Sequence, residues 1–308
     1  MTANLTLNPA IDNAKLQAFE ANFMLLDQQK TSKLMSTPSI SYMPVKGVSY
    51  INRLGGTELI EVTGERNPDK RIESMSNDVR RSVTKRFTKT FIVDNMDAAI
   101  NLITDPTSDL FSILGFAKER AGDRTIVEAA RGSVIIGAPD TSGTSKTAAE
   151  DGVITVAGTT NFDYANVVSI IERNFANNEV EDGGLTLALS AQEEYKLKQD
   201  TKFLSNEYNN IKPVAGQAMN SVGSLNVVRF GGSVQGVKEY ANPVLPEIGG
   251  VRYCLAMAPE AIKFGMELGA LSVDKSAMKV NSWEVTIDVY FKAVRTQGSR
   301  VQIITATV

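Results

Sequence analysis

Histidine is absent from all 308 residues, and cysteine occurs once, as Cys254. Ser-His-Asp and Cys-His catalysis, His-ligated zinc or iron, and Cys-rich metal sites are thereby excluded. An intramolecular disulfide is excluded as well, which suits folding in a reducing compartment. Long hydrophobic runs are missing too: none approaches the roughly 20 apolar residues that cross a bilayer as a helix. The first residues, Met1-Thr2-Ala3-Asn4, carry no basic region and no apolar stretch follows, so no secretory signal is expected. Nor is there a surplus of positive charge. Lys and Arg number 32 against 35 Asp and Glu, a net charge of −3, whereas a protein whose main task is gripping nucleic acid usually shows a basic excess.

What is present has an ordinary globular composition, 43% hydrophobic and 22% charged, in a chain long enough for one large domain or two smaller ones. The spacing predicts a helix over residues 8–30, with Asn8 as cap, Pro9 at its first position, and Leu16, Phe19, Phe23 and Leu26 on one stripe. Residues 31–44 turn to Ser, Thr, Met and two prolines, the composition of an extended connector. A helix and strap of this kind need a surface to lie on, on their own body or on a neighbour's.

Residues 45–94 read as a long two-stranded excursion. Val48, Tyr50, Leu59, Ile60 and Val62 give the outgoing limb its strand character, interrupted at Gly55-Gly56. Residues 64–70 form the turn, and the return limb is expected from about Arg81 to Val93, with Val83, Phe87, Phe91 and Val93 on one face. Charge is lopsided here. Residues 46–94 hold ten Lys/Arg against seven Asp/Glu, whereas residues 95–308 hold 19 against 25. A solvated hairpin with charged edges that discourage unwanted pairing accounts for this. So does an arm that reaches an acidic patch on a neighbouring subunit and steers assembly.

Asp105, Pro106 and Gly132 bracket the longest expected helix, roughly 40 Å at 1.5 Å per residue. Leu110, Leu114, Ala117, Ala121 and Ile126 occupy its apolar positions, and Gly115 and Gly122 mark bends or close backbone contacts. Strands at 133–136 and 152–157 are expected to pair as a hairpin around a mobile Gly/Ser/Thr/Ala tip. Further on, Tyr164, Val168, Ile171 and Phe175 stripe a helix, and Leu185, Leu187 and Leu189 stripe a strand. Ser190-Ala191-Gln192-Glu193 is a capping box for a helix carrying Tyr195, Leu197 and Leu204. Strands follow at Leu225–Phe230 and Arg252–Met257, then a helix opened by Pro259 and closed at Gly269. Trp283–Val294 and Arg300–Thr305 form a closing strand pair around Gln297-Gly298. No repeat of solenoid period is present.

Sites for chemistry are few. Gly143-Thr144-Ser145-Lys146-Thr147 has the composition of a phosphate loop, but lacks glycine directly before the lysine and a strand running straight into a helix. It reads as a flexible hairpin tip. Glu179, Glu181 and Asp182 precede Gly183-Gly184 without calcium-loop spacing and read as a solvated loop. Glu193 and Glu194 read as ordinary surface charge, and Cys254, between Tyr253 and Leu255, as a small buried hydrophobe. Catalysis has no residues to rest on, so no enzyme and no cofactor are expected.

The order of elements is informative where motifs are not. An arm, a basic β excursion, one very long helix, a compact α/β region and closing strands resemble the major capsid proteins of tailed bacteriophages, with their Hong Kong phage-type shell fold. Locally, Asp123-Arg124-Thr125-Ile126-Val127-Glu128-Ala129-Ala130-Arg131-Gly132 resembles the end of that family's spine helix. Residues 253–262 (Tyr253-Cys254-Leu255-Ala256-Met257-Ala258-Pro259-Glu260-Ala261-Ile262) resemble its late strand-to-helix passage. The resemblance implies an α+β fold with an N-arm at 1–44, an extended β-hairpin E-loop at 45–94, and a peripheral domain with the spine helix at 95–160. An α/β axial domain at 161–271 and return strands of the peripheral domain at 272–308 complete it.

The same resemblance implies a structural protein made in the host cytoplasm, which self-assembles into an icosahedral virion shell around double-stranded DNA. Its partners are then further copies of itself in hexamers and pentamers, a portal, scaffolding or decoration proteins, and packaged DNA touched without sequence preference; no membrane is involved. A long scaffolding heptad run does not precede the arm, so scaffold, if used, is expected as a separate protein or as a segment removed beforehand. The family's covalent lysine–asparagine crosslink has no matching motif. Arg66, Lys70, Arg71, Arg80, Arg81 and Arg86 are the candidate inter-subunit contacts. Reversing Arg80, Arg81 and Arg86 together is expected to impair assembly and leave the subunit folded. An encapsulin-like compartment shell and a tail or baseplate protein are the alternatives.

Overall fold

A computed structural model describes residues 29–56, 61, 77–94, 107–137, 142–158, 162–180, 183–200, 221–222, 224–230, 244–276 and 282–307. In chain order, β1 (Ile40–Tyr42), β2 (Ser49–Leu54), β3 (Asn77–Ser82) and β4 (Lys85–Asp94) precede the helix α1 (Thr107–Arg131). Then come β5 (Val134–Ile136), β6 (Thr144–Lys146), β7 (Ile154–Gly158), α2 (Ser169–Asn177), β8 (Leu185–Ser190) and α3 (Ala191–Gln199). The remainder is β9 (Ser221–Val222), β10 (Leu225–Phe230), β11 (Glu247–Ile248), β12 (Val251–Met257), β13 (Ile262–Lys275), β14 (Ser282–Arg295) and β15 (Val301–Thr307). The chain divides into two compact units, Met1–Ser32, Lys85–Asp123 and Met266–Phe291 in one, and Lys33–Thr84, Arg124–Gly265 and Lys292–Val308 in the other. The chain passes from one unit to the other within α1, β13 and β14. The expected helix at 8–30 lies almost wholly outside the described residues, as does the expected turn at 64–70.

In the first unit, β4 runs antiparallel to β14 from Lys85 opposite Phe291 to Asp94 opposite Ser282. Period-two alternation sorts the two faces. Phe87 and Phe91 share one face with Val285, Ile287, Val289 and Phe291, all four of them buried, and the rings of Phe87 and Phe291 meet edge to face at 5.3 Å. The opposite face is polar: Arg86 reaches Asp288 at 2.6 Å, and the hydroxyls of Thr90 and Thr286 lie 3.0 Å apart. On α1, the fully buried Asp123 accepts hydrogen bonds from Gln29 Nε2 and Ser32 Oγ, both at 2.5 Å, while Arg120 donates to the Gln29 carbonyl at 3.2 Å. The start of the strap is thereby buckled to the helix.

In the second unit, a mixed sheet runs in the order β7-β15-β12-β8-β10-β9, with β11 beside β12. Every residue of β8 is buried, and Cys254, Leu255, Ala256 and Met257 of β12 are wholly inaccessible. Val168, Ile171 and Phe175 have no exposure either, and Gln302 Nε2 of β15 donates to the Ile171 carbonyl at 3.0 Å, seating α2 on the sheet. Each such large side chain removed from water contributes about 1.5–3 kcal/mol. The strap is stitched into this unit. Leu34, Ser39 and Met43 are buried, and β1 pairs parallel with β13, Ile40 opposite Ile262 through Tyr42 opposite Phe264. A Cβ on Gly265 would stand 2.2 Å from the Met43 carbonyl oxygen, so only glycine lets the strap come this close. The surface that residues 31–44 need is therefore supplied, from Lys33 on, by their own chain.

A second sheet in this unit, β2-β3-β5-β6, carries the excursion. Here several expectations are corrected. The return limb partnering β2 is Asn77–Ser82, and Lys85–Asp94 leaves for the β14 sheet, because Val83 and Thr84 break the strand and Thr84 Oγ1 donates to the Val45 carbonyl at 2.7 Å. Strands 133–136 and 152–157 do not pair: β5 takes Thr144–Lys146 as partner, whereas β7 runs parallel to β15. The stretch Gly143–Thr147 is thus mostly strand, not a flexible tip. Likewise β14 and β15 go to different sheets.

The helix expected from Pro259 to Gly269 is a strand. Glu260 adopts a positive φ of 53° in a tight turn, and Ile262-Lys263-Phe264 then continues as β13, so proline opens a strand–turn–strand passage. The resemblance of residues 253–262 to a strand-to-helix passage fails with it. Gly115 has open space around it and marks no contact among the described residues, while at Gly132 a Cβ would stand 2.7 Å from the Glu128 carbonyl oxygen, so glycine suits the end of α1.

Candidate assembly arm and its buried root

The β2–β3 pair is the described part of the arm. Ser49 stands opposite Ser82, and Leu54 opposite Asn77. Tyr50, Asn52 and Leu54 face solvent, with Leu54 65% exposed, while Ile51 turns inward against a small core of Met43, Val134 and Val294. Directly opposed Arg53 and Asp78 form a fork, Nε to Oδ1 at 2.8 Å and the second nitrogen to Oδ2 at 2.5 Å. It is part-exposed, so it fixes register more than it stabilises.

The arm's root is built from buried charge. Arg80, on β3, is fully inaccessible and places its two terminal nitrogens on Asp151, at 3.0 and 2.5 Å. Arg295, at the end of β14 and equally buried, donates Nε to the same carboxylate at 2.8 Å. Arg80 also donates to the Arg295 carbonyl at 2.9 Å. Arg295 spends a further nitrogen on the carbonyls of Ala129, Ala130 and Gly132, at 3.3, 2.7 and 3.1 Å. Those are orphan acceptors at the α1 C-terminus, where the helix dipole presents partial negative charge to a cation. Burial pushes the Asp151 carboxyl up, and the two guanidinium groups more than offset this, holding it below the usual carboxylate range. A tight loop presents it: Asp151 and Val153 donate their amides to the carbonyls of Thr147 and Ala148, at 3.0 and 2.9 Å. Gly298 packs so closely on this loop that a Cβ there would stand 1.9 Å from the Asp151 carbonyl oxygen.

Lys292 grips the outgoing limb. Fully buried on β14, its ammonium donates to the Gly47 carbonyl at 2.6 Å, Ser49 Oγ at 2.7 Å and, more weakly, the Val45 carbonyl at 3.4 Å. Burial lowers its pKa from the ordinary lysine value. Lys292 and Arg295 thus hold the roots of both limbs: Arg80 and Arg295 share the Asp151 carboxylate, while Lys292 is held by two main-chain carbonyls and the Ser49 hydroxyl.

Three of the six candidate contact residues, Arg80, Arg81 and Arg86, are among the described residues. Arg66, Lys70 and Arg71 lie outside the described residues. Arg80 is committed to Asp151 inside its own chain, so its reversal would not leave the subunit folded and the triple reversal is not a clean assembly probe. Arg81 is half-buried on β3, its backbone paired with Tyr50 and Ile135. Arg86 belongs to the first unit, and its exposed guanidinium meets Asp288, which raises its pKa. Asp151, Lys292 and Arg295 escape sequence reasoning, although the cations in Phe291-Lys292-Ala293-Val294-Arg295, at the end of a buried strand, are the visible signal.

The other polar sites are structural. Ser190 caps α3, accepting from the Gln192 amide at 3.2 Å, but the capping box is not reciprocal: Ser190 Oγ donates to the Glu193 carboxylate instead of the two side chains each taking a backbone amide. Glu193 and Glu194 are buried, not surface charge: Arg252 meets Glu193 at 3.0 Å and Lys198 meets Glu194 at 2.8 Å. Cys254 is fully inaccessible, and burial pushes its thiol up, away from reactivity. Glu179 is exposed on a turn with φ of 54°. Among the described residues, no group of three or more His, Cys, Asp or Glu side chains could hold a metal ion.

Mixed sheets, one long helix and a bolted strand pair that presents apolar side chains to solvent define a structural subunit. The chain belongs to the phage capsid protein family, whose family model matches residues 11–308. It is a phage major capsid protein. No curated protein matches it at a significant level. Solved structures show the same fold at low identity. The mature capsid of bacteriophage PhiM1 gives a TM-score of 0.64 at 13% identity, over 94% of this chain and 91% of that one. The cyanophage P-SCSP1u capsid gives 0.62 at 12% identity, over 93% and 91%. The capsid of Ralstonia phage GP4 gives 0.62 at 11%, over 100% and 98%.

Proposed function

We propose that this capsid protein self-assembles, through hexamers and pentamers, into an icosahedral shell around double-stranded DNA, and that the β2–β3 arm makes the lateral contacts. The observation that carries the reading is an arm rigid at its root that presents Tyr50 and Leu54, 36% and 65% exposed, on a solvent-facing side they share with Asn52. Exposed aromatic and aliphatic side chains on a braced hairpin bury area against a neighbour, which supplies affinity, while charge supplies orientation. Residues 1–44, 45–94, 95–160, 161–271 and 272–308 take the parts of N-arm, E-loop, peripheral domain with spine helix, axial domain and return strands. Arg66, Lys70, Arg71, Arg81 and Arg86 are the cations assigned to the contact in this reading. Catalysis has no part in this role. Portal, scaffolding or decoration proteins and DNA contacted through its backbone are the other partners, and synthesis takes place in the host cytoplasm; no described helix is long and apolar enough to cross a membrane.

Negative-stain microscopy of the purified protein tests the reading, with closed shells expected and tubes or rings pointing instead to a tail component. Tyr50→Asp with Leu54→Asp is expected to abolish shells and leave the subunit's thermal midpoint unchanged. Normal shells from that double variant would remove the arm from the contact.

A further inference from the structure

We infer that Lys292 is a positioning residue for assembly: its buried ammonium fixes the direction in which the arm leaves the body. The inference rests on the proposed arm contact and adds what controls it. Three observations lead to it. Lys292 has no exposure, yet among the described residues its partners are two main-chain carbonyls and one hydroxyl, with no carboxylate. A buried cation held this way is a costly route to stability, since burying an unpaired charge is penalised far more than neutral oxygens repay. Its acceptors, Val45, Gly47 and Ser49, are the last residues before β2 and its first, and Gly47 there has φ of +71°, a sharp turn in the backbone. One ammonium thus ties together the three points that set the exit angle of the outgoing limb.

The return limb is fixed separately, by Arg80 on Asp151. Losing Lys292 therefore removes the ammonium tie at the base of the outgoing limb and leaves the β2–β3 ladder, the Thr84 bond to Val45 and the Arg80 bolt in place, which loosens the arm's direction without unfolding the body. An apolar residue of similar length fills the space but cannot hold the carbonyls. Angle matters because each subunit must meet its neighbours at a curvature that closes the shell, and a heterologous contact set at the wrong rotation gives open assemblies.

The test is amide hydrogen exchange on purified subunits, followed by microscopy of assembled material. Lys292→Met is expected to speed exchange in residues 47–54 at least tenfold, with β12 and β15 as protected as in the parent, and to replace uniform shells by open or unevenly sized particles. Unchanged exchange at 47–54, or uniform shells of parental diameter despite faster exchange, overturns the inference. If β12 and β15 also lose protection, Ser49→Ala decides: it removes one acceptor, and a several-fold rise confined to 47–54 is expected, whereas none overturns the inference. The Tyr50→Asp, Leu54→Asp variant separates the two claims. Shells from that variant sink the arm contact itself, while its failure to assemble beside uniform shells from Lys292→Met sinks only the positioning role.

Discussion

Asp151 holds two guanidinium groups in a space closed to water, so its replacement isolates what a shared buried carboxylate is worth. Asp151→Ala leaves Arg80 and Arg295 without their counter-charge, and breaking a buried pair from one side costs about 3–5 kcal/mol. A fall of several degrees or more in the thermal midpoint is the expected result, and a variant as stable as the parent would show that main-chain oxygens suffice. The pH dependence has a definite sign. The folded carboxyl lies below its ordinary range and an unfolded aspartate titrates near 3.9. Its contribution is therefore complete well above that pH and is lost as the pH falls through the lower, folded value. Asp151→Asn is expected to be less stable at neutral pH and to approach the parent's stability at acid pH; a constant gap from pH 7 to pH 2 would contradict this. The neighbouring cations behave differently from one another. Arg80→Glu is expected to yield unfolded or insoluble subunits, whereas Arg86→Glu disturbs only an exposed pair with Asp288 and is expected to leave the melting curve in place.

At the level of elements, the capping box shows how local chemistry is readable. Ser190 caps the helix through the Gln192 amide and pairs side chain to side chain with Glu193 three residues on, and Arg252 reaches both, at 2.7 Å and 3.0 Å. Ser190→Ala is expected to cost about 1 kcal/mol as a lost cap, with Arg252 still held by Glu193, read as a lower urea midpoint at unchanged slope. Strands with strong period-two or buried runs, such as Leu225–Phe230, Arg252–Met257 and the Phe87–Phe91 face, were legible for the same reason. Their partners were not. Whether β7 pairs with β5 or with β15, and whether residues 83–84 continue a hairpin or end it, depends on contacts some 150 or 200 residues away, and no local pattern encodes them. Pro259 misled for a related reason: it suits the first turn of a helix and a tight turn equally, and the left-handed Glu260 that decides between them is set by packing. The strap makes the same point. Nothing in the local sequence marks Gly265 as the point where the chain just after β1 comes closest, at the Met43 carbonyl. Gly265→Val is expected to expel β1 and raise proteolysis within residues 33–45.

For the molecule as a whole, the uneven spread of charge was the most legible feature, and the structure changes how it is counted. Residues 46–94 hold ten basic side chains, but Arg53, Arg80 and Arg86 are already paired with Asp78, Asp151 and Asp288. The basic side chains outside those three pairs are Lys46, Arg66, Lys70, Arg71, Arg81, Lys85 and Lys89, of which Arg66, Lys70 and Arg71 lie closest together in sequence, while residues 95–308 carry an acidic excess. Steering by exposed charge acts on the approach of two surfaces and fades beyond the Debye length, about 10 Å at 0.1 M salt and 3 Å at 1 M. Contacts between buried apolar faces persist across the same range. Assembly followed by light scattering should therefore slow about tenfold or more between 50 mM and 500 mM salt, and shells already formed should survive transfer to the higher salt. Arg66→Glu with Lys70→Glu and Arg71→Glu should slow assembly at low salt to the rate the parent shows at high salt, and flatten its salt dependence. A parent rate indifferent to salt would mean that the basic segment is solvated decoration, and that shape alone brings these subunits together.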